Sequence, residues 1–180
     1  MPPESEYLNV VDNKTGGMFQ LLVQLLKIES ATTLIPSLEL DLGHLILLLG
    51  RFFQIRDDFM NLQSAEYSNQ KGFCEDLDEG KFSYPIIHLL GHAPEYKDYI
   101  TGIFRQLPVR IGQPSGLSRE TKMSILEILQ ESGSLKATLH YLQQLETDIE
   151  DAITKIEDSS TGEKNATMRL VIAMLSVKDM

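Results

Sequence analysis

The chain has 180 residues, of which 42% are hydrophobic and 23% are charged, so we expect one compact domain with a sizeable core. The formal net charge of −10 argues against general nucleic-acid binding, and the single cysteine excludes an internal disulfide framework. The polar, acidic start and the short apolar runs indicate neither a signal peptide nor a membrane span, so a cytoplasmic location is expected.

The first predicted element is a helix over residues 5–29, in which apolar residues recur at helical spacing. Its middle is interrupted by Lys14-Thr15-Gly16-Gly17. Two glycines inside a helix cost about 1 kcal/mol each relative to alanine, so we expect a structural or functional reason for the glycine pair. One interpretation is a packing notch or a kink, and the other is the close approach of a helix or a ligand.

A longer helix is predicted from about Ser37 to Tyr67, and it carries an apolar run followed by a polar face. Four polar side chains share about a third of the helix circumference: Gln54, Asp57, Asp58 and Asn61. Adjacent carboxylates on a mostly buried helix repel each other and lose hydration unless a cation pairs with them. One interpretation is two solvated surface acids. The other is a Mg²⁺ site, because hard cations prefer carboxylate oxygens.

A loop is predicted over residues 68–83, with Lys71 and Lys81 at the two ends of an acidic segment. Each lysine lies beside a glycine, and its ammonium group is a compact point charge suited to phosphate. Taken singly, each lysine is explained by the solubility of the loop. Together with the preceding carboxylates, they indicate a metal-bridged diphosphate site.

Three further candidates are weaker. Residues 76–80 resemble a calcium loop only in part, since the glycine is one place early and the closing glutamate is missing. His88 and His92 have the spacing of a zinc pair, but no third ligand is evident, so ordinary helix histidines are favoured. Cys74 has no obvious base partner and is interpreted as a packing residue.

The rest of the chain is also predicted to be helical, and no strand pattern occurs. A surface loop is expected over residues 107–117 and a polar break over 158–164. The helices are expected over residues 84–91, 95–104 and 119–132, from Ser134 to the polar break, and over 166–177. The acids on the long helix after Ser134 are interpreted as solvated surface: Glu146, Asp148, Glu150 and Asp151.

Three segments, residues 53–62, 69–77 and 79–85, closely resemble the second aspartate-rich region of the trans-isoprenyl diphosphate synthases. The similarity is greatest to fungal geranylgeranyl diphosphate synthases, including prenyltransferase domains fused to terpene cyclases, and it continues upstream at residues 7–8 and 12–19. The first motif of that family, DDxxD, is absent from the sequence. The chain therefore resembles the C-terminal portion, over residues 1–180, of a single polyprenyl synthase domain. The fold implied is an all-α, antiparallel helix bundle in which only the C-terminal helices are present.

The resemblance also implies roles for individual residues. Asp57 and Asp58 would hold Mg²⁺, and Gln54 would face the allylic carbocation. The allylic diphosphate would be held by Lys14, Thr15, Lys71 and Lys81, and the residues implied to be catalytic are Asp57, Asp58, Lys14 and Lys71. Asn61, where many members have a third aspartate, would hold a metal-bound water or a phosphate oxygen. Asp76 would accept a hydrogen bond from a metal-bound water or form an ion pair with a lysine.

The implied activity is Mg²⁺-dependent condensation of an allylic diphosphate, farnesyl or shorter, with isopentenyl diphosphate to give geranylgeranyl diphosphate. The metal motif of class I terpene cyclases is not evident, which favours elongation over cyclisation. Because the first aspartate-rich motif is absent, the chain is expected to form a homo-oligomer or to associate with an N-terminal half. The alternative is a non-catalytic, prenyltransferase-like subunit that binds a partner chain.

Overall fold

A computed structural model describes residues 3–30, 36–63, 73–106, 116–160 and 162–177. Within these ranges the backbone forms helices, turns and short irregular links, with no strand, which confirms the all-α prediction. No helix in the same ranges is both long enough and apolar enough to cross a membrane. Several predicted connections lie wholly or partly outside the described residues, including residues 68–72 of the loop that carries Lys71.

The helices follow the predicted order, except that a short helix, Glu75–Asp78, lies inside the loop predicted over residues 68–83. The α-helices are α1 (Glu4–Val11), α2 (Gly17–Ser30), α3 (Pro36–Gln63), α4 (Glu75–Asp78), α5 (Tyr84–His92), α6 (Lys97–Gln106), α7 (Arg119–Glu131), α8 (Ser134–Ser159) and α9 (Ala166–Leu175). A π-helical segment, Asp12–Gly16, joins α1 to α2, and a 3₁₀ turn, Pro94–Tyr96, precedes α6. The π-helical segment coincides with the interruption that the sequence predicts.

The described residues fall into two compact units, the first of which comprises Met1–Tyr7 and Ile55–Leu139. Its core is made of aliphatic side chains that the amphipathic helices turn inward. Its fully buried members are Ile55, Leu77, Ile86, Leu89, Ile100, Ile125 and Leu129. Each such side chain contributes about 1.5–3 kcal/mol of hydrophobic stabilisation.

The second unit comprises Leu8–Gln54 and His140–Met180, with Phe52, Leu142 and Ile149 fully buried in its core. In this unit α3 comes very close to the π-helical segment, because a Cβ added at Gly50 would lie 2.8 Å from the Cα of Gly16. This approach requires glycine at position 50, whereas an added Cβ at Gly16 would lie an ordinary 3.5 Å from Leu47, and one at Gly17 would have nothing within 4 Å. The approach of α3 therefore does not by itself require the glycine pair.

One expectation about the long helix α8 is wrong. The Glu146 side chain, predicted to be solvated, is only 1% exposed. Its carboxylate accepts hydrogen bonds from the Val177 amide at 2.6 Å and from the Ser176 hydroxyl at 2.9 Å. The segment after α9 thus covers the Glu146 carboxylate, which helical periodicity places near the edge of the apolar stripe of α8. Glu150 and Asp151 are exposed, as predicted.

Candidate functional site

In the first unit, Asp58 lies at the centre of a buried polar cluster, and its side chain is 0% exposed. Its Oδ2 atom accepts hydrogen bonds from the Tyr7 hydroxyl at 2.6 Å and from the Tyr84 amide at 2.8 Å. Its Oδ1 atom lies 2.8 Å from Nζ of Lys81. Both carboxylate oxygens are therefore engaged by donors of the protein itself.

The Tyr84 amide is available because it belongs to the first turn of α5, where backbone N–H groups have no partner within the helix. A carboxylate at a helix N-terminus is also stabilised by the helix dipole. Ser83, which precedes the helix, makes no side-chain cap. Asp58 thus replaces the usual capping side chain.

Lys81 is held from two sides, since its ammonium also lies 2.7 Å from Oδ2 of Asp76. Burial opposes the charge of Lys81, but the neighbouring carboxylates of Asp58 and Asp76 outweigh burial and raise its pKa. Burial raises the pKa of Asp76, although Lys81 acts in the opposite direction. The lysine side chain as a whole remains 31% exposed.

The surroundings of this cluster fix its geometry. Oδ1 of Asn61 accepts a hydrogen bond from the Asp76 amide at 3.2 Å, which places the start of α4 against α3. The Tyr7 and Tyr84 rings lie 5.6 Å apart, and the Tyr84 hydroxyl donates to Glu4 at 2.9 Å. Burial, together with Asp58, raises the pKa of the Tyr7 hydroxyl, which therefore remains a proton donor.

A buried lysine, which sequence reasoning missed, stabilises the turn around α4. Lys122 of α7 donates to the Asp78 carboxylate and to the Phe73 carbonyl, both at 2.5 Å. Asp78 also accepts from the Leu117 amide at 2.7 Å. The available signal was the position of Lys122 on the apolar stripe of α7, three residues before the fully buried Ile125.

In the second unit, the π-helical segment brings two predicted site residues together. The Thr15 hydroxyl donates to Oε1 of Gln54 at 3.2 Å. Arg51, another residue that sequence reasoning missed, forms a two-point ion pair with Asp12 at 2.7 Å and 2.6 Å. This pair ties the segment to α3, whereas the side chain of Lys14 is exposed.

The predicted metal ligands are not equivalent in the structure. Asp57 is half-buried, whereas Asp58 is enclosed by protein donors. Over the described ranges, no group of three or more histidine, cysteine, aspartate or glutamate residues could hold a metal ion. Magnesium commonly binds one or two carboxylates together with substrate phosphates, so the residues present fit an ion held by Asp57 and a diphosphate. Lys71 lies outside the described residues.

The sequence matches a family model described as polyprenyl synthetase over residues 2–112. It is 48% identical over 178 residues to a bifunctional terpene synthase of Fusarium proliferatum, covering 98% of the chain and 23% of the relative. It is 50% identical over 181 residues to sesterfisherol synthase of Neosartorya fischeri, covering 99% and 23%. A sesterterpene synthase of Colletotrichum orbiculare is 47% identical over 184 residues, with 99% and 26% covered. The chain therefore spans about a quarter of the length of these curated relatives.

Proposed function

The chain belongs to the polyprenyl synthetase family, and on that basis we propose that it takes part in prenyl chain elongation. The reaction proposed is the condensation of an allylic diphosphate with isopentenyl diphosphate. The observation that carries this proposal is the meeting of Lys81 with the carboxylates of Asp58 and Asp76. The half-buried Asp57 directly precedes Asp58 in the sequence, and its charge acts on Asp76. A lysine that is restrained and partly exposed, together with a half-buried carboxylate, suits a diphosphate bound with a metal ion.

Each residue of this site has a separate task in the proposal. Asp57 would hold Mg²⁺, which supplies electrostatic stabilisation of the departing diphosphate. Lys81 donates to two carboxylates and, because an ammonium group has three N–H bonds, directs its third to a phosphate oxygen. From the family resemblance, we extend the proposal to further diphosphate contacts from Lys14, Thr15 and Lys71, and to a contact of Gln54 with the allylic group.

The proposal also concerns the number of isoprene units in the product. The resemblance to fungal geranylgeranyl diphosphate synthases favours geranylgeranyl diphosphate. One relative is named as a sesterterpene synthase, which favours a product one isoprene unit longer. Chromatography of the product from farnesyl diphosphate distinguishes one round of addition from two.

The chain is proposed to act together with an N-terminal half, because the sequence contains no DDxxD motif. Farnesyl diphosphate, labelled isopentenyl diphosphate and Mg²⁺ are incubated with the chain, with and without the N-terminal half of the synthase domain of the Fusarium proliferatum relative. Labelled product that requires both halves supports the proposal. Absence of product in both reactions, when the two halves are shown to associate, supports the non-catalytic alternative.

A specific feature also favours that alternative of a subunit that binds a partner. Helix α2 exposes a series of large apolar side chains, each between 50% and 76% exposed: Met18, Leu21, Leu22, Leu25, Leu26 and Ile28. Contiguous apolar surface of this kind marks protein–protein contact. Both candidate functions therefore predict association, and only the transfer reaction distinguishes them.

A further inference from the structure

We propose that Arg51 and Asp12 are a positioning pair, which fixes the register of the π-helical segment against α3. This register holds the Thr15 hydroxyl on Gln54 and leaves the side chain of Lys14 exposed. The inference rests on the diphosphate contacts proposed for Lys14 and Thr15. All the contacts concerned lie within the second compact unit.

The first step of the argument is the form of the segment, which is a π-helical turn, Asp12–Gly16, between two α-helices. Such turns are rare, their hydrogen bonds span one residue more than those of an α-helix, and they occur frequently at functional sites. Since an α-helix advances about 100° per residue, the additional residue rotates the side chains that follow it. The π form therefore decides which side chains face α3, and contacts outside the segment are expected to select it.

The second step is the register of the contacts between the segment and α3. Arg51 lies 39 positions after Asp12, and Gln54 lies the same 39 positions after Thr15. Arg51 and Gln54 are three positions apart on α3 and so share one face of that helix. Both pairs therefore belong to a single alignment, and a slip of the segment by one residue would break both.

The third step is the relative strength of the two pairs. The bond from Thr15 to Gln54 is a single neutral hydrogen bond of 3.2 Å. In the other pair, Nε and Nη2 of Arg51 donate to the two carboxylate oxygens of Asp12 at 2.7 Å and 2.6 Å. Charge-assisted hydrogen bonds are roughly twice as strong as neutral ones, and two in parallel also fix the direction of approach. The ion pair is therefore the contact that selects the register.

The surroundings of Arg51 keep this pair charged. The hydrogen bond to Asp12 raises the pKa of the Arg51 guanidinium, burial acts in the opposite direction, and Tyr141 of α8 adds to the rise. The arginine thus contacts two other elements of the same unit, the π-helical segment and α8.

The consequence for binding follows from the position of the anion-binding residues. Lys14 and Thr15 lie in the turn that the ion pair fixes, so the places from which both would contact a diphosphate are set before it binds. Without the pair the turn is free to change its register, and part of the binding free energy is then used to order it.

A double-mutant cycle tests the pair through binding and not through turnover. Inorganic pyrophosphate with Mg²⁺ is titrated by calorimetry into the wild-type chain and into Arg51→Gln, Asp12→Asn and the double variant. We expect each single variant to bind at least about tenfold more weakly, and the double variant to be no weaker than the weaker single variant. Tighter binding by Asp12→Asn would mean that the released arginine contacts the anion itself, which would overturn the inference. Losses that multiply in the double variant would also overturn it.

The matched control is Lys155→Gln, which breaks the ion pair of Lys155 with Asp41, at 2.6 Å, in the same unit. It changes the net charge by the same amount as Arg51→Gln. We expect it to leave pyrophosphate binding unchanged. An equal loss of binding in these two variants would show a general effect of charge and would contradict the positioning role.

The side-chain amide of Gln54 reports the register directly. Its ¹H–¹⁵N signals are identified by their loss in Gln54→Glu, and Thr15→Val gives their position when the hydroxyl contact is absent. We expect Arg51→Gln and Asp12→Asn to move the signals toward that position, whereas Lys155→Gln leaves them in place. A pair that only stabilised the fold would not move these signals. Signals that stay in place in both single variants would overturn the inference.

Failure of the proposed function gives a different result. If the wild-type chain does not bind pyrophosphate, the diphosphate contacts of this segment are refuted, while the Gln54 signals still decide whether the pair fixes its register. If Arg51→Gln does not fold, Asp12→Asn keeps the test open, because it leaves the arginine in place. Weaker binding and displaced Gln54 signals in that variant support the inference, and unchanged binding with signals in place contradicts it.

Discussion

At the scale of single residues, Lys122 is the clearest test of how the site is supported. It is buried and donates to Asp78 and to the Phe73 carbonyl, so its removal leaves partly buried acceptors unpaired. Because Asp78 is partly exposed to solvent, we expect Lys122→Met to lower the free energy of unfolding by about 1–3 kcal/mol. The free energy is measured by urea unfolding.

The matched control for this change is Lys136→Met on α8, since Lys136 is exposed. We expect that variant to change the free energy of unfolding by less than about 0.5 kcal/mol. Equal effects of the two variants would contradict the role given to Lys122.

His88 provides a prediction about pH. Burial, followed by the charge of His92, lowers the pKa of His88, while Glu4 acts in the opposite direction. The unfolded chain, in which a histidine pKa is about 6.5, therefore binds a proton more readily than the folded chain does. Stability contributed by neutral His88 is present above that pH and is lost as the pH falls below it.

The measurement that checks this is thermal unfolding of wild type and His88→Gln at a series of pH values from about 7.5 to 5.5. We expect wild type to lose more stability than the variant over this interval. The stacked rings of His88 and His92, with centroids 4.0 Å apart, give the same sign because two charged imidazoles would repel each other. Parallel loss in both proteins would contradict the prediction.

Some of the site could be predicted residue by residue, and some could not. Asp57 and Asp58 share a polar helix face that periodicity reveals, and Lys81 is marked by its glycine and acidic neighbours. The different surroundings of the two aspartates were not predictable. They depend on donors from Tyr7 and Tyr84, which lie 51 and 26 positions from Asp58 in the sequence.

At the scale of helices, Gly50 tests the close contact between α3 and the π-helical segment. A Cβ added there would lie 2.8 Å from backbone atoms of Gly16, so Gly50→Ala forces the two segments apart. We expect it to lower the free energy of unfolding by about 1–3 kcal/mol. Gly43→Ala on the same helix is the control, because nothing lies within 4 Å of an added Cβ at that position.

Gly43→Ala should leave stability unchanged or raise it by up to about 1 kcal/mol, because alanine favours helix. Denaturant titration of both variants measures the contrast. Similar effects of the two substitutions would refute the close contact.

Helix boundaries were predictable where a local cap defines them. The Ser118 hydroxyl accepts from the Thr121 amide at 3.2 Å, and the observed helix α7 begins at the predicted residue, Arg119. The interruption at Lys14 to Gly17 was also predictable, but its π-helical form was not. The ion pair of Arg51 with Asp12 and the approach of Gly50 stabilise that form, and both join residues far apart in the sequence.

At the scale of the whole molecule, the exposed apolar side chains of α2 predict association. Leu22→Lys/Leu26→Lys places two charges on that surface and should reduce association with the N-terminal half, or with a second copy, at least about tenfold. Sedimentation velocity measures this association. The control Gln24→Lys adds a charge at an exposed polar position of the same helix and should have little effect.

Association that survives the double substitution would show that another surface holds the partner. The all-α architecture was predictable from periodicity, and the family from three segments around Asp57 and Lys81. The burial of Glu146 could not be predicted from the sequence, because it depends on a hydrogen bond from the Val177 amide, which is 31 positions away in the sequence.

The most direct test of the proposed function is transfer of label from isopentenyl diphosphate to farnesyl diphosphate, with the N-terminal half and Mg²⁺ present. Three forms of the chain are compared: wild type, Asp57→Asn, and Asp151→Asn, which changes an exposed acid of α8. We expect product from wild type and Asp151→Asn, and a loss of about 100-fold or more in Asp57→Asn. Equal transfer by all three forms would contradict the account.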